Sequence, residues 1–310
     1  MNLAGRGPAS PREAVVVVAN PAAGRGKGAR LIPRVAEALT EMGVPHEIAV
    51  SEGPDRLEPL ARRAAEEGVR VVAALGGDGT AGIVANGLIG TDTALAVIPA
   101  GTGDDFAKTV ATADLGAALR MLAEPHIDRI DVARVSADGA ERYYLNIAGA
   151  GFDSEVNETA NAMRARIGPT ATYVLSVIRT LRKFRPSTFK MMIDGMDEVL
   201  DAMLVVLGNG RMYGGGMKVC PNASFTDGKL DVCIVEAMST GAFLRAFPKV
   251  FRGTHVRHPK VRMLQGSRVE LDADRDVKVY ADGERVGRLP AVFEAVPGAL
   301  RVVTGKEGSE

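Results

Sequence analysis

A chain of 310 residues is longer than one hydrophobic core usually serves, and 46% apolar residues are enough to fill two. Lysine plus arginine equals aspartate plus glutamate at 38 each, so no net charge draws the chain to nucleic acid, and a local basic patch is the most this balance permits. Cys220 and Cys233 lack CxxC spacing, and His255 and His258 form the one close histidine pair, which argues against a disulfide framework or a zinc site and for a reducing cytoplasm.

The apolar run after Glu13 is too short for a signal segment or a membrane span. No transmembrane segment is expected anywhere, so contact with lipid must be peripheral. From Ala14 to about residue 124 strand and helix patterns alternate. "AVVVVAN" is a β-branched run fit for a strand buried on both faces, and "KGARLIPRVAEALTEMG" repeats its apolar residues at helical spacing. "HEIAVS", "LEPLARRAAEEG", "RVVAAL", "AGIVANGLIG" and "ALAVIP" continue the alternation. The pattern predicts a doubly wound, mostly parallel α/β sheet as domain 12–125. Its strands end in "NPAAGRGKG", "SEGP", "GGDGT" and "PAGTGDDFA", and in such sheets ligands bind at the carboxyl ends of the strands.

After residue 125 short β-rich pieces follow: "RIDVARVS", "ERYYLNIAG", "STFKMMID", "EVLDAMLVVLGNG", "KLDVCIVEA", "KVRMLQGSRVEL", "VKVYADGERV" and "ALRVVTG". They predict a mainly antiparallel β-sandwich as domain 126–304, whose last strand packs back on the first domain. Helical patterns interrupt it from Glu155 to about Arg185 and around "TGAFLRAFPKVF". Strand edges in this domain offer a route to a homodimer.

The glycine loops carry the chemistry. Gly76, Gly77 and Gly79 let the backbone approach an anion, and a second loop repeats the composition with Gly101, Thr102, Gly103, Asp104 and Asp105. Two loops of amides, threonine hydroxyls and acids at one sheet edge fit a polyphosphate with Mg²⁺, since phosphate takes amides and magnesium takes hard oxygens. "GRGKGA" at 24–29 has its glycines at the wrong spacing for GxGxxG, with Val50 and Ser51 where the downstream acid would stand, and GxxxxGK[ST] does not occur. Taken alone, "GGDGT" and "ADGE" are also ordinary turn sequences.

In order and spacing, "NPAAG" at 20–24, "GGDGT", "IPAGTGDDFA", "GAGFD", "GGGMKVCPNASFTDGKLDV", "HVRHPKV" and "ADGE" at 281–284 resemble the lipid kinases of the diacylglycerol kinase and sphingosine kinase type, especially the soluble bacterial diacylglycerol kinase-like enzymes. The resemblance covers most of the chain. It implies an NAD-kinase/phosphofructokinase-like first domain and transfer of the γ-phosphoryl of ATP to a lipid hydroxyl, with diacylglycerol converted to phosphatidic acid at the cytoplasmic face of the membrane. It places ATP against Asn20, Pro21, Ala22, Ala23, Gly24, Ser51, Gly76, Gly77, Asp78, Gly79, Thr80 and Thr102, with Lys108 reaching a phosphate. It places a structural Mg²⁺ on Ser224, Asp227 and Lys229. Asp78 and Asp105, with Asp131 nearby, are the candidates for a catalytic Mg²⁺. Glu284 is implied as the acceptor of the hydroxyl proton, with Asp282 orienting it or the metal.

Two departures stand out. The family pattern follows GGDGT with a residue and then Asn-Glu, where this chain has Gly82 and Ile83; its usual Asn-Asp is Asp104-Asp105 here. They keep alive a nucleotide- or lipid-binding sensor with impaired catalysis. NAD kinase also carries GGDGT, and "FTDGKLDV" and "ADGE" favour the lipid kinases over it. For membrane contact, Tyr173, Val174, Val177, Ile178 and Leu181 form a stripe beside Arg179, Arg182, Lys183 and Arg185, which reads as an interfacial helix or as a core helix with a basic end.

Overall fold

The computed structural model describes residues 14–152, 155–156, 175–177, 179–181 and 184–305. They fall into two compact units, one running to Ile130 and resuming at Gly298, the other spanning Asp131–Pro297.

The first unit is the α/β layer. β1 (Val15–Ala19), β2 (His46–Val50), β3 (Val71–Gly76) and β4 (Ala94–Pro99) pair in parallel in the order β4-β3-β1-β2. β1, β3 and β4 are buried along their whole length, which is why they read as unbroken apolar runs rather than alternating ones. α1 (Ala23–Glu41) turns Leu31, Val35 and Leu39 inward at four-residue spacing, and α2 (Pro54–Glu66) begins with proline, whose missing N–H costs nothing there. α3 (Asp78–Leu88), α4 (Asp105–Val110) and α5 (Leu115–Ala123) complete the helices. The end of β15 (Ala291–Thr304) joins this sheet, with Arg301 and Val302 parallel to Ala94 and Leu95 of β4. Each fully buried Leu or Ile side chain in this core contributes about 1.5–3 kcal/mol.

The second unit is an antiparallel β-sandwich. β5 (His126–Ala137) pairs with β6 (Ala140–Tyr144). β9 (Met196–Gly208) pairs through its first half with β8 (Ser187–Ile193), and through its second half with β7 (Ile147–Gly151) and β10 (Leu230–Glu236). β10 continues to β11 (Val261–Gly266), β8 to β12 (Arg268–Ala273) and the start of β15, and β7 to the hairpin of β13 (Lys278–Ala281) and β14 (Glu284–Arg288). α6 (Thr240–Ala246) leads into two short 3-10 helices, Phe247–Arg252 and Thr254–Arg257.

Several boundaries differ from the sequence reading for local reasons. "ERYYLNIAG" is two strands, broken where the amides of Leu145, Asn146 and Ile147 turn to the Asp282 carboxylate. "KVRMLQGSRVEL" is also two, parted at Ser267, whose N–H and hydroxyl donate to Asp194. α3 starts at Asp78 rather than after the glycine turn, so the GGDGT turn doubles as the first turn of a helix. Of the stripe proposed for an interfacial helix, Val177 and Leu181 are buried in an apolar cluster with Phe152 and Phe243, while Arg179 and Arg185 are exposed. The core-helix reading therefore holds for the described members; Tyr173, Val174, Ile178, Arg182 and Lys183 lie outside the described residues.

Candidate active site

Within the first unit, three strand ends meet. β1 sits between β2 and β3, so the chain leaves β1 and β3 at a topological switch point, the usual ligand crevice of an open α/β sheet. There Asn20, just past β1, donates its Nδ2 to Thr80 Oγ1 at 3.0 Å and accepts the Ala22 N–H on its own Oδ1 at 3.1 Å. Gly24, Arg25 and Gly26 follow with φ of 56°, 58° and 86°, three consecutive left-handed residues that swing the backbone toward the β4 loop. A Cβ on Gly24 would stand 2.1 Å from the Ala100 carbonyl oxygen, and the positive φ adds strain of its own. Gly24→Ala is thus expected to destabilise the protein by about 1–3 kcal/mol and to weaken nucleotide binding, read by thermal melts and ATP titration calorimetry.

The loops after β3 and β4 touch backbone to backbone. A Cβ on Gly101 would lie 2.6 Å from the Gly77 Cα, and one on Gly77 would lie 3.0 Å from the Gly101 Cα. Around Gly79 the same direction opens on empty space, and the residue is exposed. Asp78 ties the two loops together by accepting the Phe106 N–H at 2.8 Å, at the start of α4. Asp104 closes its own loop by accepting the Gly101 N–H at 2.9 Å and holds a left-handed conformation, φ 52°.

These carboxylates are electrostatically unsettled. Burial pushes Asp78 up to about 6; the Phe106 and Asp105 amides pull it down, and the Asp105 and Asp104 charges raise it further. Burial likewise raises Asp104, opposed by the Gly101 amide and by the Lys27 and Lys108 ammonium groups. Asp105 is fully buried, with Lys108 Nζ 3.6 Å from its Oδ1. Lys27 was not picked out from sequence; its place directly after the left-handed glycine turn was the available signal. Ser51 is buried at the end of β2, its hydroxyl bonded to the Gly53 carbonyl. Pro21 and Ala23 are half-buried, and Ala22 and Thr102 exposed. A Cβ on Gly76 would meet Thr80, which explains glycine there.

Mutually repelling hard-oxygen donors beside two lysines fit a magnesium–polyphosphate chemically. Among the described residues no three Asp, Glu, His or Cys side chains gather into a metal cage. A cation here would draw oxygens from phosphate and water, as magnesium commonly does.

In the second unit, Asp282 is a hub. Its carboxylate accepts the amides of Leu145 (2.7 Å), Asn146 (3.0 Å) and Ile147 (3.1 Å), and its φ of 47° sets the turn that leads to Glu284. Burial raises the Asp282 carboxyl, with the three amides and Arg142 opposing. Glu284 stands exposed at the start of β14. Asp131 accepts the Gly228 N–H at 2.7 Å and donates its own N–H to the Phe225 carbonyl at 2.6 Å, so it anchors the Ser224–Lys229 turn. In that turn Asp227 accepts the Lys229 N–H at 3.1 Å, and Ser224 lies 3.2 Å from Thr226, hydroxyl to hydroxyl.

The second unit also holds an apolar cavity of about 70 Å³, walled by Phe152, Leu204, Val206, Phe243, Val250 and Val261 among others.

Residues 14–135 match a family described as diacylglycerol kinase catalytic domain, and residues 146–304 match the YegS C-terminal NAD kinase beta sandwich-like domain. A diacylglycerol kinase of Mycobacterium tuberculosis is 35% identical over 299 residues, spanning 95% of this chain and 96% of its own length. One from Staphylococcus aureus is 29% identical over 288 residues, spanning 91% and 89%. A solved structure of a diacylglycerol kinase from Bacillus anthracis is similar in fold, with a TM-score of 0.71 at 22% identity over 94% of this chain and 97% of that one.

Proposed function

Because the chain belongs to the diacylglycerol kinase family, a family of lipid kinases, we propose that it transfers the γ-phosphoryl of ATP, as its magnesium complex, to the free hydroxyl of diacylglycerol. The observation that carries this reading is the joining of the β1, β3 and β4 loops by the Asn20–Thr80 and Asp78–Phe106 hydrogen bonds. That arrangement gathers glycine amides, two lysines and three carboxylates at one sheet edge, which is the equipment phosphoryl transfer needs: positioning and charge neutralisation rather than covalent help.

In this reading the loops of Asn20–Gly24 and Gly76–Thr80, with Thr102 and Ser51, hold ATP, and Lys27 and Lys108 face its phosphates. Bound Mg²⁺ supplies neutralisation of charge on the phosphate oxygens. Asp78 and Asp105 would hold it. Glu284 takes the proton of the acceptor hydroxyl as the oxygen–phosphorus bond forms and the bond to ADP breaks. Asp282 holds the Glu284 turn, and Asp131 holds the Ser224–Lys229 turn, whose Ser224, Asp227 and Lys229 would hold a structural Mg²⁺. The apolar cavity is chemically suited to an acyl chain, and the lipid is met at a membrane surface; none of the described helices is long and apolar enough to span one.

The test is to incubate the protein with labelled ATP, Mg²⁺ and a mixed lipid extract in detergent micelles, beside Glu284→Gln. Label moving to a lipid of phosphatidic acid mass, and at least a hundredfold less with the variant, is the expected result. Label on another lipid overturns the acceptor. Label that stays on ATP despite measurable nucleotide binding overturns the activity.

A further inference from the structure

The stretch from Ala237 to Ser267 contains no aspartate or glutamate, in a chain whose charges otherwise balance. Within it, α6 and the two 3-10 helices expose Arg245, Lys249, Arg252 and Arg257. None of these four forms an ion pair with a described carboxylate, whereas Lys260 and Arg262 nearby are paired with Glu236 and Glu198. Among the same cations Leu244 and Phe251 are each 43% exposed, two of five large apolar side chains exposed to that degree or more among the described residues.

Phe251 is not a loose side chain. It stands edge-on to Phe247 at 6.3 Å between ring centroids; Phe247 stacks on Phe243 at 6.0 Å, and Phe243 meets Phe152 at 4.9 Å. An aromatic column thus runs from the buried cluster to the surface and ends in an exposed ring between Lys249 and Arg252. The inner side of the same segment, Phe243, Ala246, Phe247 and Val250, lines the apolar cavity.

We infer that the α6 to Arg257 face docks the protein on an anionic lipid surface, with Leu244 and Phe251 entering the headgroup–acyl boundary and Arg245, Lys249, Arg252 and Arg257 lying against the lipid phosphates. Exposed apolar side chains interleaved along the segment with cations that pair with no described carboxylate fit an interfacial layer, where both halves of the pattern find a partner. A polyanion such as nucleic acid satisfies the cations but gives Leu244 nothing to bury against. The inference deepens the lipid-kinase reading by naming where the membrane is met, and it is testable without turnover.

The protein has no tryptophan, so Phe251→Trp installs a single fluorescent reporter at the tip of the column. With phosphatidylcholine vesicles containing phosphatidylglycerol, and no nucleotide, its emission is expected to shift to the blue and become shielded from a water-soluble quencher. Phosphatidylcholine alone, or high salt, should weaken the shift. Arg245→Glu with Lys249→Glu should lower vesicle affinity in co-sedimentation at least twentyfold, at about fivefold per cation. Leu244→Ser with Phe251→Ser should lower it as well, with thermal melts showing that the variant is folded.

An unshifted reporter on a vesicle-bound protein, absence of vesicle binding, or a response to duplex oligonucleotide equal to that with vesicles would each overturn the inference. Transfer to short-chain diacylglycerol in detergent is scored separately. Its failure with docking intact counts against the kinase reading alone, and the reverse counts against docking alone.

Discussion

Asp78→Asn is expected to cut phosphoryl transfer by roughly a hundred- to a thousandfold while making the protein more heat-stable at pH 7. The amide oxygen of asparagine still accepts the Phe106 N–H, so the tie between the β3 and β4 loops survives. What disappears is a charge held at a cost. A carboxyl raised from 3.8 to about 6 holds its proton more tightly folded than unfolded, so stability falls as pH rises through that window and the full penalty stands above pH 6. The ceiling on that penalty is about 3 kcal/mol, and the side chain's partial exposure brings the expected gain to about 1–2 kcal/mol. Melting curves of both proteins from pH 4 to pH 7.5 check it. They should converge near pH 4 and part above pH 6; equal melting at pH 7 would refute the desolvation argument. Added ATP and Mg²⁺ should stabilise the native protein more than the variant, because a bound cation relieves the repulsion the variant no longer has.

Asp282→Ala and Glu284→Gln should fail in opposite ways although they sit two residues apart. Removing the Asp282 carboxylate strips acceptors from three amides, each worth about 1–3 kcal/mol when left unsatisfied. Its own burial is unfavourable, so the net loss is about 3–5 kcal/mol, enough to unfold a marginal domain. Glu284 is exposed, and its replacement by glutamine should move stability by less than about 0.5 kcal/mol while turnover collapses. Urea denaturation and initial rates on both variants separate the roles. Full stability in Asp282→Ala would deny it the hub role; full turnover in Glu284→Gln would deny the proton-acceptor role.

The strand–helix alternation of the first unit was legible because β1, β3 and β4 are buried on both faces and their helices carry four-residue apolar spacing, so pattern and fold agree. That the two glycine loops belong together was legible because glycine, threonine and acid recur at two strand ends, and the backbones of Gly77 and Gly101 do meet. What the sequence hid was the use made of each acid. Nothing in "GGDGT" says that Asp78 reaches forward to the Phe106 amide, nor in "ADGE" that Asp282 gathers three amides from residues 145–147, since those pairings depend on long-range folding. Lys27 escaped notice for the same reason, as it meets Asp104 only once the left-handed turn at residues 24–26 has bent the chain. The docking face was invisible to net charge because its cations are balanced elsewhere in the chain.

The closing strand has a consequence for the order of events during synthesis. β4 is translated well before its partners Arg301 and Val302, which come after every other strand of the two units. Until then a buried-type strand carries an open edge, with free amides and carbonyls beside apolar side chains, the condition under which chains pair with the wrong neighbour. The α/β unit is thus the first of the two to be written and the last to be sealed. A fragment ending near residue 130 should aggregate where one carrying a grafted copy of residues 298–305 stays monomeric.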